Sequence, residues 1–195
     1  NNINRNNKVF GNGFAGFQLL PNVALRSSIG FNVNQASFKG FNPITPENSE
    51  PGLTNSFNEQ QTNNFDWTWS NTARYNKSMG QHTLNLLAGQ EATHSSYRGI
   101  FGGEAGFMST TPDNLYLQPA LGNASTLTVN SNGSQSALLS YFGKADYNFQ
   151  DKYVASVTVR RDGSSRLGPD HRWGTFPAFG LGWRITKEGF LENNK

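Results

Sequence analysis

The sequence predicts an all-β fold, an antiparallel up-and-down arrangement of about seven strands that forms part of a larger transmembrane β-barrel. Three observations lead to this prediction. Apolar and polar residues alternate with period two in several segments, short and long connections follow one another strictly, and several of the alternating segments are long enough to cross a bilayer. No segment shows the periodicity of an amphipathic helix.

The composition agrees with this fold class and excludes others. Of the 195 residues, 35% are hydrophobic, 15% are charged and 13% are aromatic. A disordered chain normally replaces apolar residues with charged ones, and this chain is poor in both. The chain contains no cysteine, which excludes disulfides and thiolate metal sites. Its net charge of +3 comes from scattered residues and gives no support for nucleic-acid binding.

The strands are predicted from alternation, because successive strand residues point to opposite faces of a sheet. Three of the alternating segments run to about thirteen residues, more than the 9–11 that a membrane-crossing strand needs. The first and fourth segments alternate least regularly. In chain order, the predicted strands cover residues 9–20, 23–35, 63–75, 82–93, 137–149, 153–160 and 179–184.

Strand parity predicts two faces with different surroundings, an apolar face against lipid and a polar face along the barrel lumen. The residues predicted to contact lipid are Val23, Leu25, Ile29, Phe31, Phe65, Trp67, Trp69, Leu139, Tyr141, Val157 and Leu181. The residues predicted to face the lumen are Arg26, Asn32, Asp66, Thr68, Arg74, Lys144, Asp146, Arg160 and Arg184.

The connections alternate between tight turns and long loops. Turns are predicted around Pro21, at residues 76–81 and at 150–152, and loops at 38–62, 94–134 and 163–173. Outer-membrane barrels have short periplasmic turns and longer extracellular loops, so the three loops are predicted to lie outside the cell. The last strand is expected to extend back from its alternating residues 179–184 to include Pro177, and this proline predicts a bulge because it cannot donate to a strand ladder.

A soluble β-sandwich that binds a glycan is the alternative interpretation. Its strands would also alternate, and its apolar face would be the core of the protein. The two interpretations differ in what covers the apolar face, lipid in the first case and a second sheet in the second.

The chain carries no pattern that indicates an enzyme, a metal site or a cofactor. His82, His94 and His171 have no metal-ligand spacing, and no nucleophile elbow is present. The loops do hold aromatic and basic residues that suit contact with a ligand or partner, although folded loops also use such residues to pack on themselves. These candidates are Phe101, Phe107, Tyr116, Arg166 and Trp173.

The most specific motifs lie between residues 140 and 191. They are Asp-Lys-Tyr at 151–153, Arg-Arg-Asp-Gly-Ser-Ser-Arg at 160–166, Arg-Trp-Gly-Thr-Phe-Pro at 172–177, Gly-Trp-Arg at 182–184 and Glu-Gly-Phe-Leu at 188–191. In this order they closely resemble the SusC/RagA family of TonB-linked outer-membrane proteins. Leu167 stands where the family pattern has Phe, which keeps the position apolar.

The resemblance implies an outer-membrane transporter with a barrel of about 22 strands and an N-terminal plug. Such receptors import oligosaccharides or peptides with energy delivered by TonB, and pair with a SusD-like surface lipoprotein. On this basis, residues 1–195 are expected to be part of the barrel domain, since no plug, TonB box or terminal strand is recognisable in them. TonB is therefore expected to act through an N-terminal region outside this sequence.

Overall fold

The computed structural model describes residues 2–47, 52–109, 111 and 114–191, and it contains seven strands. These are β1 (Asn2–Leu20), β2 (Val23–Asn42), β3 (Ser56–Met79), β4 (His82–Ala105), β5 (Thr128–Phe149), β6 (Tyr153–Ser164) and β7 (Trp173–Trp183). They form one sheet in the order β1-β2-β3-β4-β5-β6-β7, so each strand pairs with its neighbours in sequence. The predicted all-β, up-and-down arrangement is confirmed. Within the described ranges, no helix is long and apolar enough to span a membrane.

Several strands are longer than predicted, and the long loops are correspondingly shorter. The connection predicted at 38–62 covers only residues 43–55, the one at 94–134 covers 106–127, and the one at 163–173 covers 165–172. The added strand segments are rich in glycine and small polar residues, so alternation does not reveal them. Backbone hydrogen bonding in an antiparallel ladder does not require alternating side chains, and the strands therefore continue beyond the alternating pattern.

The chain divides into two compact units. The first contains Asn1–Phe10, Asn32–Asp66 and Ser95–Gln135, and the second contains Gly11–Phe31, Trp67–His94 and Ser136–Lys195.

The first unit holds a small apolar core under its loops. Phe41, Phe57, Phe107 and Leu115 are buried, and the rings of Phe57 and Phe107 meet edge to face with centroids 6.1 Å apart. Asn55, which is 3% exposed, ties the loop to this core. Its amide nitrogen donates to the carbonyl of Phe107 at 2.9 Å, and its amide oxygen accepts from the N–H of Phe107 at 2.7 Å.

The second unit contains the pairs β5–β6 and β6–β7, both in one-to-one register. β6 pairs with β5 from Phe149↔Tyr153 to Leu138↔Ser164, and with β7 from Tyr153↔Trp183 to Gly163↔Trp173. The predicted bulge at Pro177 is wrong, because Pro177 pairs directly with Val159 in this register.

The β5–β6 turn and the segment after β7 form an ionic cluster. Gln150 and Asp151 have positive φ angles of 53° and 54°, which turn the chain within three residues. The carboxylate of Asp151 pairs with Arg184 and Lys187, and accepts a hydrogen bond from Asn148 at 3.1 Å. The hydrogen bonds from Lys187 and Asn148 lower the pKa of Asp151 to about 2.

Glu188 ties the same segment to the start of β6. Its carboxylate accepts hydrogen bonds from Tyr153 at 2.8 Å and from the indole of Trp183 at 3.1 Å. Lys152 forms an ion pair with the other carboxylate oxygen at 3.1 Å. The hydrogen bonds from Tyr153, Trp183 and Lys152 lower the pKa of Glu188. Asp151, Lys152 and Tyr153 of the Asp-Lys-Tyr motif and Trp183 and Arg184 of the Gly-Trp-Arg motif all take part in these contacts, which explains structurally why the two motifs occur together.

Replacing Asn55 with Ala is expected to destabilise the loop at 106–127. The change leaves the N–H and carbonyl of Phe107 buried without partners, and a buried unsatisfied polar group costs about 1–3 kcal/mol. Hydrogen exchange of the full-length protein should show loss of protection at Phe107. Asn42→Ala is the matched control, because Asn42 makes one exposed hydrogen bond, to Ser56, and its loss should change protection little. Equal protection in the two variants would contradict this account.

Acidification is expected to release the Asp151 cluster. The pKa of Asp151 is lowered in the folded state. The contribution of its carboxylate to the free energy of unfolding is therefore complete above the unfolded-state pKa of about 3.9. It is lost as the pH falls towards the folded-state pKa of about 2. Asp151→Asn should therefore lower the melting temperature at pH 5 but not near pH 2. Asp170→Asn, an exposed carboxylate in the 165–172 connection, should change it at neither pH. A deficit in Asp151→Asn that persisted unchanged at low pH would argue against the cluster.

Candidate functional site

The polar faces of β3, β4, β5 and β6 meet in a hydrogen-bonded network within the second unit. We call Ser70, Glu91, Ser140, Arg160 and Asp162 the polar network. The Arg160 guanidinium pairs with Asp162 at 2.8 Å and with Glu91 at 3.5 Å, and it donates to the hydroxyl of Ser140 at 3.0 Å. The hydroxyl of Ser70 donates to the second oxygen of Glu91 at 2.8 Å.

The register of the strands explains why these residues meet. Ser140 pairs with Asp162, and Phe142 pairs with Arg160, so all four side chains lie on one face of the β5–β6 ladder. The Arg160 guanidinium also lies 5.7 Å from the centroid of the Phe142 ring. Two carboxylates for one guanidinium leave the polar network with a surplus of one negative charge.

The Phe142 ring requires a glycine on the neighbouring strand. A Cβ atom at Gly89 would lie 2.4 Å from a ring atom of Phe142 and 3.0 Å from the backbone oxygen of Asn71. Glycine at this position therefore allows the ring to lie flat across β4, beside the polar network.

The structure places the other predicted lumen-facing residues in separate contacts. Asp66, in the first unit, accepts hydrogen bonds from Asn32 at 3.2 Å and from Ser95 at 2.6 Å. Lys144 pairs with Asp146 on its own strand at 2.9 Å. Arg26 lies 4.2 Å over the ring of Phe14, and Arg74 is exposed.

Arg184 is the exception among the predicted lumen residues. It follows the last residue of β7 and pairs with Asp151 in the β5–β6 turn. Its assignment to a strand face is therefore wrong, because the alternation ends at Trp183 and the chain then turns into the short 3₁₀ helix Ile185–Lys187.

Three of the five predicted loop residues lie elsewhere or are covered. Phe101 is in β4 and not in a loop. Phe107 is 5% exposed and belongs to the core of the first unit, so its ring has no free face for a ligand. Trp173 begins β7 and stacks on Tyr141 with ring centroids 6.1 Å apart. Tyr141 is one of the residues predicted to contact lipid, and Trp173 shares its face.

The remaining two loop candidates are exposed. Tyr116 is 56% exposed, and the ammonium group of Lys39 lies 5.4 Å from the centroid of its ring. Arg166 lies in the connection between β6 and β7, where its guanidinium donates to the hydroxyl of Ser136 at 3.3 Å. Both residues are accessible to a partner.

The opposite face of the second unit is apolar and exposed. Its side chains are not covered by any other part of the described chain, and the large ones named next come from five of the strands. The large members include Leu25, Ile29, Phe31, Trp69, Tyr141, Val157, Phe179 and Leu181, with exposed fractions from 39% to 92%.

A row of aromatic rings crosses this apolar face close to the short turns. The ring of Phe149 lies 4.8 Å from that of His82 and 6.3 Å from that of Tyr153, and the ring of Tyr153 lies 6.5 Å from that of Trp183. Each neighbouring pair joins two adjacent strands. Rings at this level form the aromatic girdle that marks the membrane interface in barrel proteins.

The contacts of Glu91 were not predicted from the sequence. It lies in the fourth predicted strand, where alternation is weak, and its partners lie on other strands. The sequence did contain one indication. Leu84, Leu86 and Ala88 occupy even positions and Glu91 an odd one, so alternation puts Glu91 on the polar face.

No protein-family model matches the chain. Among curated proteins, TonB-dependent receptor P39 of Formosa agariphila is 30% identical over 180 residues, which cover 90% of this chain and 17% of the relative. TonB-dependent receptor SusC of Bacteroides thetaiotaomicron is 29% identical over 199 residues, which cover 97% of this chain and 18% of SusC. The chain thus spans less than a fifth of the length of these relatives.

Solved structures with a similar fold belong to the RagAB peptide transporter. One matches 99% of this chain and 21% of its own with a TM-score of 0.88 and 22% identity. RagAB in its open-open state matches 100% of this chain and 21% of its own, with a TM-score of 0.88 and 23% identity. The comparisons confirm the resemblance predicted from the motifs: the chain matches a segment of the β-barrel of SusC/RagA-type TonB-dependent receptors.

Proposed function

We propose that this chain is part of the barrel wall of an outer-membrane transporter that imports nutrients such as oligosaccharides or peptides with energy delivered by TonB. The observation that carries the proposal is the pairing of an exposed apolar face with a hydrogen-bonded, charged face on the same strands. A barrel wall between lipid and an aqueous lumen needs both faces.

The apolar face of the second unit supports a lipid environment. Burying apolar surface is worth roughly 25 cal/mol per Å², and soluble monomers rarely leave contiguous apolar patches of more than a few hundred Å² in water. Phe179 and Leu181 are 77% and 92% exposed. In a soluble β-sandwich these side chains would form the core, so their exposure disfavours the glycan-binding module.

The polar network supports an aqueous lumen on the other face. Ionised groups are costly in hydrocarbon, and in barrels they face the interior, where water and paired charges stabilise them. Arg160, Glu91 and Asp162 satisfy one another, so this part of the wall is held rigid.

A SusD-like surface lipoprotein is the proposed partner at the long-loop end. Two loops of the first unit expose large apolar side chains that their own core does not cover. These are Ile44 (51% exposed), Leu53 (75%) and Met108 (98%), and Tyr116 is exposed as well. Apolar groups of this size in water favour a covering surface. In this topology the loops at 43–55, 106–127 and 165–172 lie outside the cell, and TonB acts through parts of the receptor beyond this chain.

Arginine on the apolar face is expected to impair assembly of the full-length receptor, whereas arginine on the polar face is not. Val157→Arg should cost about 2–4 kcal/mol if the side chain meets the bilayer midplane. Ser156→Arg is the matched control, because Ser156 is the neighbouring residue on the opposite face and pairs with Asp146. The measurement is the fraction of heat-modifiable, folded receptor in the outer-membrane fraction. Equal tolerance of both substitutions would contradict the assignment of the faces.

The exposed loop residues are expected to support pairing with the lipoprotein. Leu53→Ser combined with Met108→Ser should lower recovery of the co-expressed lipoprotein in a pull-down several-fold, because two anchors of the contact are lost. Met79→Ser is the control. Met79 is an exposed apolar residue too, at 51%, but it lies beside the β3–β4 turn, at the end of β3 away from the 43–55 loop. Unchanged recovery with the double variant, or an equal loss with Met79→Ser, would overturn the proposed docking site.

A further inference from the structure

A polar recess in the first unit lies outside the polar network and the loop core. It has a volume of about 640 Å³ and is open to solvent. Its walls come from β3, β4 and the beginning of β5. The side chains that matter for its chemistry are Asn63, Phe65, Ser96, Arg98 and Gln135.

Strand parity indicates that the recess opens on the lipid-facing side of the wall. Phe65 is 43% exposed and precedes Trp67 by two residues on β3, so the two rings share a face. The hydroxyl of Ser96 donates to the carbonyl of Phe65 at 3.3 Å. Arg98 follows Ser96 by two residues on β4 and therefore points to the same side.

Along β3 and β4 this face changes from apolar to polar. On β3, Trp69, Trp67 and Phe65 are followed towards the long-loop end by Asn63. On β4, Ser96 and Arg98 follow at the corresponding level. Aromatic rings followed by polar and basic side chains are typical of the level at which hydrocarbon gives way to headgroups. The recess therefore lies where a lipid headgroup would be, on the outer side of the wall.

Arg98 is the charged group of the recess and is not engaged by protein. Its side chain is exposed, and it forms no hydrogen bond or ion pair with the described residues, in contrast to Arg160 and Arg184. A guanidinium binds a phosphate group through two parallel hydrogen bonds. The Ser96 hydroxyl and the amides of Asn63 and Gln135 donate and accept hydrogen bonds, as sugar hydroxyls require.

We propose that this recess binds the phosphate-bearing headgroup of a glycolipid in the outer leaflet, with Arg98 on the phosphate and the hydroxyl and amide side chains on the sugar. The acyl chains would then run along the apolar face beside Phe65. This inference rests on the proposed function, because it requires the face to lie in a membrane. It assigns the recess a role in holding the receptor at a fixed depth in the outer leaflet.

The test is a titration of the purified full-length receptor, in neutral detergent, with monophosphoryl lipid A, followed by native mass spectrometry. Arg98→Gln should raise the apparent Kd about tenfold, the effect of losing one charge-assisted pair of hydrogen bonds. Arg98→Lys keeps the charge but not the bidentate geometry, so its Kd should lie between that of wild type and that of Arg98→Gln. The dephosphorylated lipid should bind wild type as weakly as the phosphorylated lipid binds Arg98→Gln.

Lys77→Gln is the matched control, since Lys77 is an exposed cation near the β3–β4 turn with no ion pair to the described residues. Its Kd should equal that of wild type. An unchanged Kd in Arg98→Gln, or an equal rise in Lys77→Gln, would overturn the proposal. Inorganic phosphate that competes with the lipid at equal concentration would also overturn it, by showing a free-anion site. A receptor that assembles in the outer membrane but fails this titration refutes the headgroup site alone. A receptor that never enters that membrane refutes the proposed function.

Discussion

Strand register determines which side chains can meet on each face of this sheet. Each strand separates an apolar face from a polar face, and a shift of one residue would exchange every side chain between them. Such a shift in β6 would move Arg160 away from Glu91 and Ser140 to the apolar side, and would move Val157 and Val159 to the polar side. The pairing of β6 with both neighbours is one-to-one from Tyr153 to Gly163, so the register is maintained without a break.

Side-chain contacts hold this register at different levels of the second unit. The polar network joins four strands through Arg160 and Glu91. The aromatic row from His82 to Trp183 joins adjacent strands on the other face. At the short turns, Asp151 and Glu188 fasten the segment after β7 to the start of β6. Because these contacts involve different chemistry on the two faces, no slipped register would satisfy all of them.

Much of this fold was predictable from the sequence, since period two is a direct consequence of strand geometry. Alternation identified all seven strands and put Arg160 and Asp66 on the polar face. Alternation failed where neighbouring side chains do not differ in polarity. The outer part of β4, with Gly99, Gly102 and Gly103, is a strand although apolar and polar residues do not alternate there. The burial of Phe107 was not predictable either, because it depends on Asn55, which lies 52 residues away in sequence. The polar recess was missed for the same reason, since its walls come from three strands.

In the proposed barrel wall, adjacent residues of β6 meet different solvents, lipid at Val157 and water at Thr158. The chain contains no cysteine, so single fluorophores can be attached at Val157→Cys or Thr158→Cys in the full-length receptor, once any cysteine elsewhere is replaced. Reconstituted into vesicles, the label at 157 should be quenched by nitroxide-bearing lipids and not by aqueous iodide. The label at 158 should show the reverse. Equal quenching by iodide at both positions would contradict a membrane-facing apolar surface, and an exchange of the two patterns would show that the faces are assigned the wrong way round.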